Sequence, residues 1–241
     1  MHGGDWGECG TIQLIWCMRV LITISDSLKR LGVYVVYCVV DGVTVVESGD
    51  VFTSELGELE EIIRCEGDTK ANPVAQAYRR FYWSIGLDPT KIRQAGEALR
   101  RRVLNGGRLP KINSVVDAGN YVSAKTLVPI GLYDTLTLSG SLMLKHSEGG
   151  ELFLAIGSNV EETLPPGVPI LIDCAEPKHA LHLFPHRDSQ RTKITNQTKS
   201  VLVVGAGVEG VDPAIVQRAV KSTIEVTVKY SGGVPSPIMV A

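Results

Sequence analysis

The sequence predicts an α+β fold, in which a run of helices is followed by a run of short strands. Helical spacing of apolar residues, with capping residues at the segment ends, dominates residues 54–125. After Leu127, short apolar segments alternate with Gly, Pro and Asp turns. Helices and strands segregated in this way favour α+β over regular βαβ alternation. The 241 residues, 44% hydrophobic and 21% charged, suffice for one large buried core.

The first elements are predicted as strands and two helices. Residues 20–24 form a buried apolar run, and a short helix is expected with Asp26 as its N-cap. Residues 33–40 and 43–47 predict a hairpin, because Asp41-Gly42 between them supplies positive φ. Residues 54–65 predict a helix with an acidic outer face.

Four more helices and a series of strands follow. Asn72 caps a helix that has Pro73 in its first position and ends at Gly86. Further helices are predicted over 88–105, 114–125 and from 213 to 221 or beyond. Strands are predicted at residues 136–138, 141–145, 152–156, 168–172, 180–184 and 201–204.

Several classes of protein are disfavoured by composition. The net charge of −2 gives no overall basic character. The five cysteines are odd in number and form no CxxC pair, which favours free thiols over a zinc site. Residues 12–24 are too short to span a bilayer and include Arg19, so we expect a cytoplasmic protein. Met18 directly precedes the first strand, and we therefore expect residues 1–17 to be an upstream extension.

A local basic cluster lies between Tyr78 and Lys111, where nine basic residues oppose two acidic ones. The resulting local charge of +7 makes nucleic-acid contact a hypothesis, since guanidinium groups match phosphate geometry. The alternative is that the arginines form the solvated faces of two helices. The candidate RNA-binding residues are Arg79, Arg80, Arg93, Arg100 and Arg101.

Two other motifs have weaker functional interpretations. Residues 205–210 match GxGxxG after a strand, but only about 30 residues follow, too few for a dinucleotide-binding fold. An irregular exit from the strand is favoured instead. His179, His182 and His186 are close in sequence, yet His179 and His182 should face opposite sides of a strand. A structural or solvent-facing role is the expectation, with no metal.

A polar stretch, residues 186–198, lies between two apolar strands. It combines hydroxyl, amide, carboxylate and guanidinium groups. Such a segment is either a surface loop or the polar wall of a pocket.

Four segments in order resemble one known module. The first comprises residues 77–82 with 85–91, and the second comprises 97–99 with 101–104 and 109–113. The third comprises 116–122 with 129–134, and the fourth comprises 187–189 with 191–192 and Thr198, leading into 201–204. Together they resemble the B3/B4 module of the phenylalanyl-tRNA synthetase beta subunit, in a free-standing form, over about residues 72–210. The resemblance implies a single B3/B4-like domain over residues 18–241, with central mixed or antiparallel β-sheets flanked by helices.

The resemblance also implies a function. In the synthetase this module hydrolyses the ester of tyrosine wrongly attached to the phenylalanine tRNA, and it needs a pocket, carbonyl donors and an oriented water. It implies tRNA or aminoacyl-tRNA as partner and no cofactor. The implied substrate-binding residues are Asn120, Gly131, Arg187 and Thr198. The implied catalytic residues are Asp188, Ser189, Gln190 and Thr192.

The sequence departs from the editing pattern at two positions. Gly131 stands where the synthetase carries a histidine, and Gln190 falls near its editing glutamate. An amide cannot act as a general base, and Asp188 is the nearby replacement. Two functions therefore stay open: trans-editing hydrolysis of misacylated aminoacyl-tRNA, and non-catalytic binding of RNA or a partner protein. No ATP motif is present, so a complete synthetase is not expected. Self-association and association with a synthetase both stay open.

Overall fold

The computed structural model describes residues 20–48 and 52–241. The predicted upstream extension, residues 1–17, lies outside the described residues. The strands are β1 Ile22–Ile24, β2 Tyr34–Asp41, β3 Ile130–Asp134, β4 Leu142–His146, β5 Leu152–Phe153, β6 Glu162–Thr163, β7 Pro169–Asp173, β8 Ala180–Leu183, β9 Arg187–Asp188, β10 Ser200–Gly207, β11 Val234–Pro235 and β12 Met239–Val240. The α-helices are α1 Asp26–Lys29, α2 Thr53–Glu66, α3 Pro73–Ser84, α4 Ala95–Leu104, α5 Ser114–Thr126 and α6 Pro213–Ser231. Two 3₁₀ turns span Thr135–Thr137 and Gln190–Thr192.

The strands form two five-stranded sheets and a small β5–β6 pair. The first sheet has the order β1-β4-β7-β8-β9, in which β1 and β4 are parallel and the other neighbours antiparallel. The second has the order β11-β2-β10-β3, with β12 also paired to β2, and is antiparallel throughout. Helices α5 and α6 pack on each other, and α6 packs on β10. The predicted α+β class with mixed and antiparallel sheets is confirmed.

The helix starts follow the capping residues in the sequence. The Asn72 side chain accepts a hydrogen bond from Val74 N at 2.9 Å, with Pro73 in the first turn of α3. Asn113 accepts from the backbone of Val115 and Val116 and starts α5. These side chains satisfy amide groups that the first turn of a helix leaves without partners.

Strands β2 and β10 form the centre of the core. All eight residues of β10 are buried, as are the six of β2 between its two ends. Both faces of the second sheet are therefore covered. A smaller apolar cluster joins α2 to α4 around Leu59, Ile63 and Val103. No helix in the described part of the chain is long and apolar enough to cross a membrane.

The predicted hairpin of residues 33–40 and 43–47 is wrong. Strand β2 pairs with β10, β11 and β12, and residues 43–46 do not form a strand. The turn at Gly42 has the expected positive φ of 75°. After this turn, however, Val43 N donates a hydrogen bond to Lys199 O, and Thr44 N donates one to Ser231 O. Pairing with distant segments thus replaces the local pairing that the turn would allow.

Three further predictions are corrected. The helix predicted over 88–105 begins only at Ala95, because Asp88 forms a local turn with Thr90 and Gln94 caps the helix. Residues 136–138 lie mostly in a 3₁₀ turn, and β3 was not among the predicted strands. The GxGxxG match begins inside β10, which continues through Gly207. A Cβ on Gly205 would lie 2.6 Å from Val220 Cγ2, so this glycine permits close helix packing.

Candidate functional site

The large cavity, of about 960 Å³, opens between α5, β3 and the polar stretch of residues 186–198. Asn120 of α5 and Asp188 of β9 both line it, as do residues 193–197. Val116, Ile130 and Leu132 supply an apolar wall. The cavity therefore combines an apolar surface with convergent polar groups, as small-molecule sites do.

Two secondary structure elements fix the position of Asp188. In the β8–β9 pair, Asp188 stands opposite His182, and His182 Nδ1 lies 2.8 Å from Asp188 Oδ1. The backbone oxygen of Asp188 accepts a hydrogen bond from Ile156 N at 3.1 Å. The Asp188 side chain is 32% exposed, whereas that of His182 is 10% exposed. The carboxylate is thus the member of the pair that is accessible from the cavity.

A second, smaller cavity of about 40 Å³ lies behind this carboxylate and is lined by Gly131, Tyr133, His182, His186 and Asp188. Tyr133 is buried, and its pKa is raised well above the usual value by burial and then by the neighbouring Asp188 carboxylate. Burial, followed by the charges of His182 and Arg187, lowers the pKa of His186 to about 4. Tyr133 is therefore protonated and His186 is neutral at pH 7.

Thr198 anchors the loop that forms the polar wall. It is fully buried, and its hydroxyl donates to Asp134 Oδ2 at 2.7 Å. The hydroxyl oxygen of Thr198 also accepts a hydrogen bond from Thr195 N at 3.0 Å. Thr198 therefore holds residues 193–197 in place, and its hydroxyl is used within the protein.

The other residues of the predicted catalytic set, and Arg187 of the predicted substrate-binding set, lie outside the large cavity. Ser189 is fully buried and its hydroxyl accepts from Arg191 N at 3.2 Å, capping the 3₁₀ turn. Thr192 is 1% exposed and lines a separate cavity of about 290 Å³. Gln190 bonds Leu154 O through its backbone N at 2.7 Å. Arg187 makes two hydrogen bonds to Glu162, the shorter 2.8 Å.

The candidate RNA-binding arginines separate into two groups. Arg79 pairs with Glu97, Arg93 Nε lies 4.0 Å from the same carboxylate, and Arg100 is buried and pairs with Glu66. Arg80 and Arg101 are exposed. Within residues 20–48 and 52–241, neither Arg80 nor Arg101 has an acidic partner, whereas acidic side chains neutralise Arg79, Arg93 and Arg100.

Sequence reasoning missed several residues of the site. The sequence predicts a structural or solvent-facing role for His182, although its pairing with Asp188 follows from a hairpin centred on residues 184–186. Glu47 and Ser48 also line the large cavity, brought there by the bridge between Glu47 and Asn113. No local pattern marks them, because the contact spans more than 60 residues of chain. Among the described residues, no group of three or more His, Cys, Asp or Glu side chains is placed to hold a metal.

The family model of the B3/4 domain matches residues 77–232, more than half of the chain, and the chain belongs to that family. The phenylalanine–tRNA ligase beta subunit of Cutibacterium acnes is 28% identical over 133 residues, which are 55% of this chain and 15% of that subunit. The corresponding subunit of Xanthomonas campestris is 26% identical over 177 residues, covering 64% and 22%. The chain therefore spans less than a quarter of these relatives.

A solved structure shares the fold. It is an N-terminal fragment of the phenylalanyl-tRNA synthetase beta subunit from Pyrococcus horikoshii, with a TM-score of 0.51 and 18% identity. The match covers 90% of this chain and 50% of that fragment. This chain is thus a B3/4-domain protein related to the synthetase beta subunit.

Proposed function

We propose that this B3/4-domain protein is a tRNA-associated factor that binds the aminoacyl end of a misacylated tRNA in the large cavity and hydrolyses its ester. One observation carries the proposal: the Asp188 carboxylate is fixed in the wall of a cavity that has apolar and polar sides. The similarity to subunits named as phenylalanine–tRNA ligases supports tRNA as the partner. A cytoplasmic location and association with a synthetase belong to the same proposal.

The chemistry follows from the groups that line the cavity. Asp188 is the general base that takes a proton from the attacking water. Asn113 uses its side-chain oxygen to cap α5, which leaves its amide N–H groups as donors. Together with the Asn120 amide, they supply donors for the ester carbonyl, where negative charge develops.

The rim of the cavity suits a nucleotide. Ile112 and Ile156 line it and are 55% and 54% exposed. Lys111 and Lys193 also line it. Apolar side chains offer a surface for the terminal base, and the lysines offer positive charge for its phosphate.

A deacylation assay on a panel of mischarged tRNAs tests this function. We expect hydrolysis of at least one ester by the wild-type protein, and a loss of about 100-fold or more in Asp188→Asn, because the amide cannot accept the proton. Asp68→Asn is the matched control, since Asp68 is exposed and its carboxylate pairs with Lys70 at 3.0 Å. Absence of hydrolysis across the whole panel would contradict the proposal.

A second candidate is binding of the same end of tRNA without hydrolysis. Gly131 and Gln190 favour it, since both lack the side chains of the editing pattern. The Tyr133 ring also occupies the space beside Gly131: a Cβ there would lie 2.9 Å from Tyr133 Cζ. Tight binding of an aminoacyl-tRNA whose ester stays intact during the assay would favour this candidate.

A further inference from the structure

Three side chains from both sheets meet behind the large cavity. Asp188 and His182 belong to β9 and β8 of the first sheet, and Tyr133 belongs to β3 of the second. His182 Nδ1 lies 2.8 Å from Asp188 Oδ1. The rings of Tyr133 and His182 meet edge to face, with centroids 6.2 Å apart and an interplanar angle of 88°. The carboxylate is therefore hydrogen-bonded to His182, and the His182 ring packs in turn against the buried Tyr133 ring.

The cluster depends on the glycine at position 131. Residues 131 and 133 lie on the same face of β3, since side chains alternate along a strand. The Tyr133 ring fills the space that a side chain at 131 would need. A histidine at 131 and this placement of Tyr133 therefore exclude each other. Glycine at position 131, where the editing pattern has a histidine, therefore leaves room for the Tyr133 hydroxyl.

The protonation states suit a carboxylate that accepts hydrogen bonds. For His182 to donate to Asp188, its Nδ1 must carry a proton. Tyr133 is a protonated hydroxyl, because burial and the Asp188 charge raise its pKa. His182 is too buried to meet a substrate itself, with 10% of its side chain exposed. Asp188 is then the group that contacts the reacting atoms.

Resting on the proposed function, we infer that His182 and Tyr133 are positioning residues that orient the Asp188 carboxylate, and that this set replaces the histidine and glutamate of the editing pattern. Asp188 takes one proton from water as the water oxygen bonds to the ester carbonyl carbon. The bond from that carbon to the ribose oxygen then breaks. The leaving oxygen takes the proton from Asp188, which regenerates the carboxylate without any other reactant.

Three conservative variants separate positioning from simple packing. His182→Asn keeps an N–H donor close to the position of Nδ1, whereas His182→Leu removes it. Tyr133→Phe removes only the hydroxyl. Tyr82→Phe is its matched control, since Tyr82 is equally buried and its hydroxyl has no hydrogen-bond partner among the described residues. All four are compared with wild type and Asp188→Asn in steady-state deacylation of the best mischarged tRNA.

The inference predicts a change in kcat rather than in KM. We expect His182→Leu to lower kcat about 10- to 100-fold, and Tyr133→Phe about 10-fold, with KM within about twofold, since the lost contacts orient a base that acts in the transition state. His182→Asn should recover most of the lost kcat, and Tyr82→Phe should match wild type.

The outcomes separate a failure of the proposed function from a failure of the positioning role. If the wild type hydrolyses no ester, the proposed function fails. If it does and Asp188→Asn is inactive, but His182→Leu and Tyr133→Phe keep the wild-type kcat, the positioning role is wrong while the function stands. A rise in KM at unchanged kcat, or an Asn variant as impaired as the Leu variant, likewise overturns the positioning role.

Discussion

The partly buried histidine at position 186 makes the stability of this protein depend on pH. Its ring meets Tyr82 edge to face, with centroids 5.8 Å apart. Its Nδ1 has no hydrogen-bond partner within the described residues. Burial first, and then the charges of His182 and Arg187, lower its pKa from 6.5 to about 4. The folded protein therefore resists a proton that the unfolded chain binds readily.

The magnitude follows from proton linkage. Between about pH 6.5 and pH 4 the unfolded chain binds more protons at this site, so the free energy of unfolding falls as pH falls. Each pKa unit corresponds to about 1.4 kcal/mol, which gives about 3 kcal/mol for the full difference. From pH 7 to pH 4.5 the same relation gives about 2 kcal/mol of lost stability.

Urea unfolding of the wild type and His186→Phe at a series of pH values tests this linkage. Phenylalanine keeps a ring against Tyr82 and removes the titration. All other ionisable groups are common to the two proteins, so their effects largely cancel in the difference. We expect the wild type to lose about 2 kcal/mol more than the variant between pH 7 and 4.5. Parallel stability profiles would refute the assignment.

Three further predictions concern RNA contact and packing. Replacing Arg80 and Arg101 by alanine should reduce the steepness of log tRNA affinity against log salt concentration by up to about 2. Filter binding at several salt concentrations measures this slope, and an unchanged slope would mean that the two arginines do not contact phosphate. Gly131→Ala should destabilise the protein by about 1–3 kcal/mol in urea unfolding, because its Cβ meets the Tyr133 ring; full stability would contradict that contact. Thr198→Val should cost about 1–3 kcal/mol in the same assay, since Asp134 loses a buried donor, and an unaltered midpoint would argue against that role.

The parts of the fold that follow from local rules could be predicted from the sequence. The caps at Asn72 and Asn113 and the helical spacing after them locate α3 and α5, because the information lies within a few residues. The pairing of β2 could not be predicted in the same way. Its partner β10 lies about 160 residues away, and the turn at Gly42 equally allows a local hairpin. The pairing of β2 with β10, which buries the six inner residues of β2, replaces the local hairpin.

The same limit applies to the site. Asp188 and Asn120 were expected at one pocket, and the structure brings both to the large cavity. Ser189 was expected there too, but the adjoining 3₁₀ turn uses its hydroxyl as a cap. Counting charge along the chain likewise overlooked Glu66, which is 34 residues from Arg100 and pairs with it. Local composition identifies the polar segment, whereas tertiary partners decide which of its side chains are available.

The most direct measurement is a crystal structure with a non-hydrolysable 3′-aminoacylamino adenosine, an amide analogue of the end of an aminoacyl-tRNA. We predict that the analogue occupies the large cavity, with its carbonyl within one water of Asp188 and its base at the rim beside Ile112 and Ile156. This result is expected whether or not the ester is hydrolysed. Binding at another surface, or no binding at concentrations that saturate a working site, would contradict the account.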